Sequence, residues 1–165
     1  MDAVDRIIAQ WRRERPDLDV GPMALIGRMN RLTQHLSRAM GDTFARFGLS
    51  GASFDVLATL RRSGPPYALS PGDLTVAMMI TSGTMTNRID QLERAGLVER
   101  RPNPEDGRSV IIALTDKGFT VIDAAVAAHV ETQARLTLGL TDGEQAALNG
   151  LLARYLAAFE GDLAG

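Results

Sequence analysis

Cysteine is absent from the 165-residue chain, which excludes disulfides, thiolate metal sites and thiol redox sensing together. Long apolar runs are missing too. No stretch reaches the ~18 residues that a membrane span requires, and no membrane association is expected. The N-terminus is charged from Asp2 onward and carries no signal-like apolar segment, which points to a cytoplasmic protein. Histidine is scarce: His35 and His129 stand far apart, each beside an apolar stripe and without a second ligand at metal-binding spacing. Both are read as structural, and no metal site is expected. Lysine is nearly absent, since seventeen of the eighteen basic residues are Arg and Lys117 is the exception. The formal charge of −2 counts against a nucleic-acid partner unless an assembly gathers its arginines on one face. There is no nucleophile with an adjacent base, no Gly-rich phosphate loop and no paired-carboxylate motif. Accordingly no catalytic residue is assigned and no enzyme is expected.

What is present suits one domain of moderate size, with 45% hydrophobic residues and no low-complexity run. It is organised around residues 81–113. At 100° per residue Met85, Ile89 and Leu92 fall on one stripe of a helix, with Thr84, Thr86, Asn87, Asp90, Gln91 and Arg94 on the opposite arc. Thr81 is a plausible N-cap, Ile80 can staple onto Met85, and Gly96 can supply the left-handed end. The polar face near the helix start offers Ser82, Thr84, Thr86 and Asn87, donors and acceptors of the size that reads base edges. Two β-prone runs follow, 97–101 and 109–113, joined by a turn rich in Pro, Asn, Asp and Gly. This turn is longer than a hairpin needs, so its tip projects, with Asp106 able to orient Arg108 by a charge-assisted hydrogen bond.

The flanking segments read as helices. Residues 2–14 place Val4, Ile7, Ile8 and Trp11 on one stripe and stop before Pro16. Residues 23–47 keep an apolar stripe for about seven turns, longer than the ~11 to 12 residues of an average helix. Ser50 caps a helix over 51–62, and Gly64-Pro65-Pro66 stops it. Ser70, Pro71 and Asp73 start a helix over 71–79, which makes a helix-turn-helix with the one that follows. After the hairpin, Thr115 caps a long helix, and Thr141 with Glu144 forms a capping box for the last one.

Leu92-Glu93-Arg94-Ala95-Gly96-Leu97-Val98-Glu99-Arg100, the Asp106-Gly107-Arg108 turn and Leu114-Thr115-Asp116-Lys117-Gly118 closely resemble the MarR family of bacterial transcription regulators. The resemblance covers roughly residues 21 to the C-terminus, and the wing is its most specific part. It implies a mainly α fold with a small β-hairpin wing, a winged helix-turn-helix domain joined to a helical dimerisation region. Residues 48–114 would be the DNA-binding lobe, 23–47 and 115–165 the dimerisation helices, and 1–22 an extra N-terminal helix and linker. The implied partners are double-stranded DNA and a second copy of the chain. Ser82, Thr84, Thr86, Asn87, Arg94 and Arg108 are the expected DNA contacts, with Arg108 in the minor groove. The alternative for the last two helices is that they merely cover the domain.

A narrower resemblance concerns Trp11, Asp55, Arg88 and Arg100, which look like the pattern of the urate-responsive branch of that family. There the matching residues line a pocket for a small anionic or aromatic ligand. This implies a repressor with no cofactor beyond a small-molecule effector such as urate. The plainer readings are a structural Asp55–Arg88 ion pair and Trp11 as the anchor of an amphipathic helix. For the whole protein, the alternative is a winged-helix protein-interaction module without DNA binding, which salt-dependent DNA binding would separate from a regulator.

Overall fold

The computed structural model describes residues 1–78, 81–104 and 106–160. In chain order the elements are α1 (Ala3–Glu14), α2 (Gly21–Ala45), α3 (Gly51–Arg62), β1 (Ala68–Leu69), α4 (Pro71–Met78), α5 (Ser82–Arg94), β2 (Val98–Pro102), β3 (Val110–Leu114), α6 (Asp116–Thr137) and α7 (Asp142–Glu160). The three strands form one antiparallel sheet in the order β1-β3-β2. No helix among the described residues is long and apolar enough to cross a membrane.

Side-chain caps set most helix starts. Asp2, Ser50, Thr81 and Thr115 each accept a backbone N–H from the first turn of the helix they precede. Ser70 does the same for α4 through the N–H of Asp73, 3.1 Å away. Thr141 and Glu144 close the capping box of α7, with the Thr141 N–H 2.8 Å from the carboxylate. Several boundaries differ from the sequence reading: α1 begins at Ala3 with Asp2 as its cap, β2 and β3 are each shifted by one residue toward the C-terminus, and both ends of α2 move. Helix α2 starts at Gly21 rather than 23, because Pro22 in the first turn has no N–H to leave unsatisfied. It stops at Ala45 rather than 47, where Gly48 at φ 70° turns the chain back and the Leu49 N–H bonds the Phe44 carbonyl at 3.1 Å. Met79 and Ile80, including the expected staple from Ile80, lie outside the described residues.

The strand β1 is an addition to the expected hairpin. Ala68 pairs with Ala113 and Leu69 with Ile112. Two residues cannot display a period-2 pattern, so this strand is dictated by its partner and not by its own sequence.

Leu57, Leu60, Leu74, Ile112 and Ile122 are wholly buried in the main core, to which α3, α4, α5, the sheet and α6 contribute. Helix α1 instead rests on α2: Val4 and Ile8 are buried with Val20, while Arg28 holds Asp2 at 2.9 Å and also pairs with Asp5.

The start of α6 is docked on the end of α5. The Thr115 hydroxyl donates to the Gly96 carbonyl at 2.8 Å, and the Lys117 ammonium donates to the Ala95 carbonyl at 2.8 Å. Gly118 sits so close that a Cβ there would lie 1.8 Å from the Leu97 carbonyl oxygen. Only glycine fits.

The long helices leave apolar faces uncovered in the single chain. Leu25 (58%) and Leu32 (56%) on α2, Val130 (57%) on α6, and Leu151 (54%) and Phe159 (59%) on α7 are exposed. No residue of α7 is buried.

Candidate functional site

Two surfaces carry chemistry, and both are built on α5. Its apolar stripe, Met85, Ile89 and Leu92, is buried in the core, which turns Ser82, Thr84, Thr86, Asn87 and Arg94 out to solvent. The Thr86 hydroxyl donates to the Ser82 carbonyl at 3.1 Å, leaving its lone pairs and methyl to face outward. Thr84 Oγ1 lies 3.0 Å from Thr81 Oγ1 within the cap. Arg94 Nε donates to the Asp90 carbonyl at 3.1 Å.

Beside this face stands the wing. Arg108 is exposed at its turn, as the pattern predicted. Asp106 does something different from what was expected. Its Oδ1 accepts the backbone N–H of Arg108 at 3.1 Å, so it shapes the turn and leaves the guanidinium alone. The turn is closed further by Ser109, whose N–H and hydroxyl both reach the Asp106 carbonyl, and by the Asn103 N–H on the Ser109 carbonyl at 2.9 Å. A short acid two residues before a backbone N–H favours that local bond over one to a long, solvated guanidinium.

The second surface is a cleft of about 350 Å³ between α3, α4 and α5. Its lining includes Phe54, Asp55, Ala58, Thr59 and Arg62 from α3, Ala77 and Met78 from α4, and Arg88 from α5. Asp55 opens to solvent in the single chain, yet the packed walls push its pKa up; Arg88, Arg62 and His129 oppose the shift. Asp55 and Arg88 make no ion pair within 4 Å and act on each other across open space. His129 packs behind the cleft, 5.0 Å from the Phe54 ring and 5.2 Å from Phe44, with Nδ1 buried and without a hydrogen-bond partner.

Of the four residues expected at a ligand, the single chain brings Asp55 and Arg88 together. Trp11 is exposed on α1 and does not line the cleft. Arg100 leaves β2 to pair with Asp90 and Glu93 on α5, and its backbone N–H also reaches Glu93 at 3.3 Å. It clasps the wing to α5. Arg62 and Met78 were not foreseen. The spacing of Asp55, Ala58, Thr59 and Arg62 at i, i+3, i+4 and i+7 marks one helix face and could have found Arg62. Nothing local marks Met78.

A helix-turn-helix whose second helix turns a polar face outward, flanked by a β-wing tipped with Arg108, defines a winged helix-turn-helix protein. The model of the MarR family matches residues 47–109. Over 151 residues the chain is 46% identical to the transcriptional regulator PecS of Dickeya dadantii, covering 92% of this chain and 91% of that one. It is 29% identical over 133 residues to the multiple antibiotic resistance protein MarR of Escherichia coli, covering 79% and 90%. Among solved structures, a mutant E. coli MarR complexed with operator DNA superposes with a TM-score of 0.69 at 26% identity, covering 88% of this chain and 97% of that one. Bordetella bronchiseptica BpsR, whose DNA binding is regulated by 6-hydroxynicotinic acid, superposes at 0.67 with 26% identity, covering 78% and 90%. The chain belongs to the MarR family of transcriptional regulators, which are not enzymes. That bears out the family and the fold class expected from its motifs.

Proposed function

We propose that the chain acts as a homodimeric repressor that binds a pseudo-palindromic operator on double-stranded DNA. Two copies of α5 would read the major groove through Ser82, Thr84, Thr86, Asn87 and Arg94, and two Arg108 wings would reach the minor groove. A small planar anion of the urate type, held in the Asp55–Arg88 cleft, would release it. Residues 48–114 are then the DNA-binding lobe, and 23–47 with 115–165 the dimerisation region.

One observation carries the reading. Arg88 lines the cleft from the same helix that turns Thr86 and Asn87 outward. A ligand recruiting that guanidinium acts directly on the reading helix, and no long relay is needed. The approach of an anion also disturbs Asp55, whose carboxylate faces the same space. Support comes from the relatives: one solved neighbour is complexed with operator DNA, and another responds to a small aromatic acid. The proposal rests on Asp55 and Arg88, while Trp11 and Arg100 would join the site upon assembly.

A gel shift on the intergenic DNA upstream of the protein's own gene, with and without urate, tests it. The expected result is a retarded complex that urate dissolves. By linkage the DNA-bound dimer should bind urate more weakly, by roughly 1 to 3 kcal/mol. If urate changes neither operator affinity nor Trp11 fluorescence while an aromatic carboxylate changes both, the cleft stands and urate is the wrong ligand. If Arg88→Ala responds to every effector as wild type does, the cleft is not the switch.

A further inference from the structure

The cleft holds a second guanidinium for which the urate-type reading has no use. Arg62 ends the α3 face that carries Asp55, Ala58 and Thr59, seven residues beyond Asp55. Two helical turns separate them by about 10 Å along the axis. Arg88 reaches the same space from the α5 wall. Neither Arg62 nor Arg88 has a hydrogen bond or ion pair to another described side chain. Each guanidinium offers five N–H donors in a rigid fork that suits a carboxylate edge. The lining therefore carries two cations against the single carboxylate of Asp55, and the surplus is positive. Thr59 also lines the cleft, with its hydroxyl donated to the Asp55 carbonyl at 2.7 Å, and the rest of the wall is apolar: Phe54, stacked on Phe44 at a centroid distance of 4.1 Å, with Ala58, Ala77 and Met78. Apolar walls suit a flat ring, and guanidiniums on separate helices suit acceptors on separate edges of that ring.

We infer that Arg62 is a second ligand-holding group, and that the cleft takes a planar ring carrying acceptor groups on two edges, one for Arg88 and one for Arg62. The inference rests on the cleft being the effector site. A ring with a single carboxylate engages Arg88 and leaves Arg62 solvated; a ring with two engages both and outbids water at each.

Calorimetric titration of the full chain with benzoate and with benzene-1,3-dicarboxylate at low salt tests this, since the two probes share a ring and differ by one carboxylate. Wild type should bind the dicarboxylate about tenfold or more tighter. Arg62→Gln should erase that preference and leave benzoate within about twofold of wild type, while Arg88→Gln should weaken both probes. Arg62→Lys keeps the charge and loses the fork, so its preference should fall in between, and this variant serves if the glutamine one does not fold. An unchanged preference in the Arg62 variants, with Arg88→Gln still weakening both probes, would remove Arg62 from the site and leave the effector cleft standing. Wild type binding neither probe, or Arg88→Gln leaving both unaffected, would overturn the effector cleft and this inference with it.

Discussion

Asp106 and Arg108 divide the work of the wing between backbone and side chain. The Asp106 carboxylate is spent on the Arg108 N–H, so the guanidinium enters solution free to meet an external anion. Asn can accept the same N–H, and Asp106→Asn should therefore hold the turn and bind operator DNA nearly as wild type does. Arg108→Ala should keep the fold and weaken operator binding several-fold or more, with a shallower salt dependence. Binding isotherms at several salt concentrations check both; a large loss in Asp106→Asn would mean that its charge matters and the turn bond does not suffice. Asp55 presents the opposite case, a group whose environment opposes its ionised form. Its folded pKa lies above the ordinary carboxylate value, raised by burial against the pull of Arg88 and Arg62. The unfolded chain thus gives up this proton at lower pH than the folded one, and the contribution of Asp55 to stability falls as pH rises through that window. Asp55→Asn removes the penalty. Its melting temperature should match or modestly exceed that of wild type at pH 7, with the gap closing as the pH falls toward the acid range. Solvent screening keeps the effect small. A variant that melts lower at pH 7, with the deficit shrinking in acid, would mean that attraction to the arginines outweighs burial.

At the scale of elements, the end of α5 is where α5, the wing and α6 are locked together. Lys117, the only lysine, donates to the Ala95 carbonyl at the C-terminus of α5, where the helix dipole favours a cation. Arg100 bridges β2 to Asp90 and Glu93 on the same helix. Gly118 permits the contact, because any side chain would meet the Leu97 carbonyl. Gly118→Ala should cost about 1 to 3 kcal/mol or more in a denaturant titration, well beyond the propensity gain of alanine in a helix. Stability equal to wild type would show that α6 can slide without penalty. The legibility of these elements in the sequence follows the range of the forces that make them. Caps at Ser50, Ser70, Thr81, Thr115 and Thr141 act within four residues, and each was evident from residue type and spacing. The stripe of α5 was equally plain, because burial of Met85, Ile89 and Leu92 repeats with the helical period. The strand β1 was invisible, since its pairing partner lies more than forty residues away. The cleft was legible by half. Asp55 and Arg88 came from a family pattern, whereas the turning of Arg100 toward Asp90 and Glu93 depends on how β2 lies beside α5, which no local pattern encodes.

The whole molecule leaves apolar helix faces uncovered in the single chain. Helix α7 has no buried residue, and among the described residues its side chains reach only the segment just before it: Glu144 accepts from Thr141 in the capping box, and Gln145 Nε2 donates to the carbonyls of Thr137 and Leu140 at 3.3 and 3.0 Å. A helix of 19 residues with Leu148, Leu151, Leu152, Leu156 and Phe159 exposed gains little from its own hydrogen bonds in water. Packing must come from elsewhere, and the uncovered faces of α2 and α6 are of the same apolar kind. A two-fold pairing of these helices would fix the distance between the two copies of α5. The chain should then sediment as a dimer at micromolar concentration, and its footprint should show half-sites centred ~10 bp apart or a multiple of it. Inserting five base pairs between half-sites rotates one by about half a turn and should abolish tight binding, whereas inserting ten should restore part of it. Leu151→Glu places a charge in the apolar face and should shift the chain toward monomer, with operator affinity falling in parallel while the melting of the winged-helix core changes little. Full operator affinity in a Leu151→Glu monomer, or indifference to the five-base insertion, would mean that each lobe binds DNA by itself and that the helices serve some other contact.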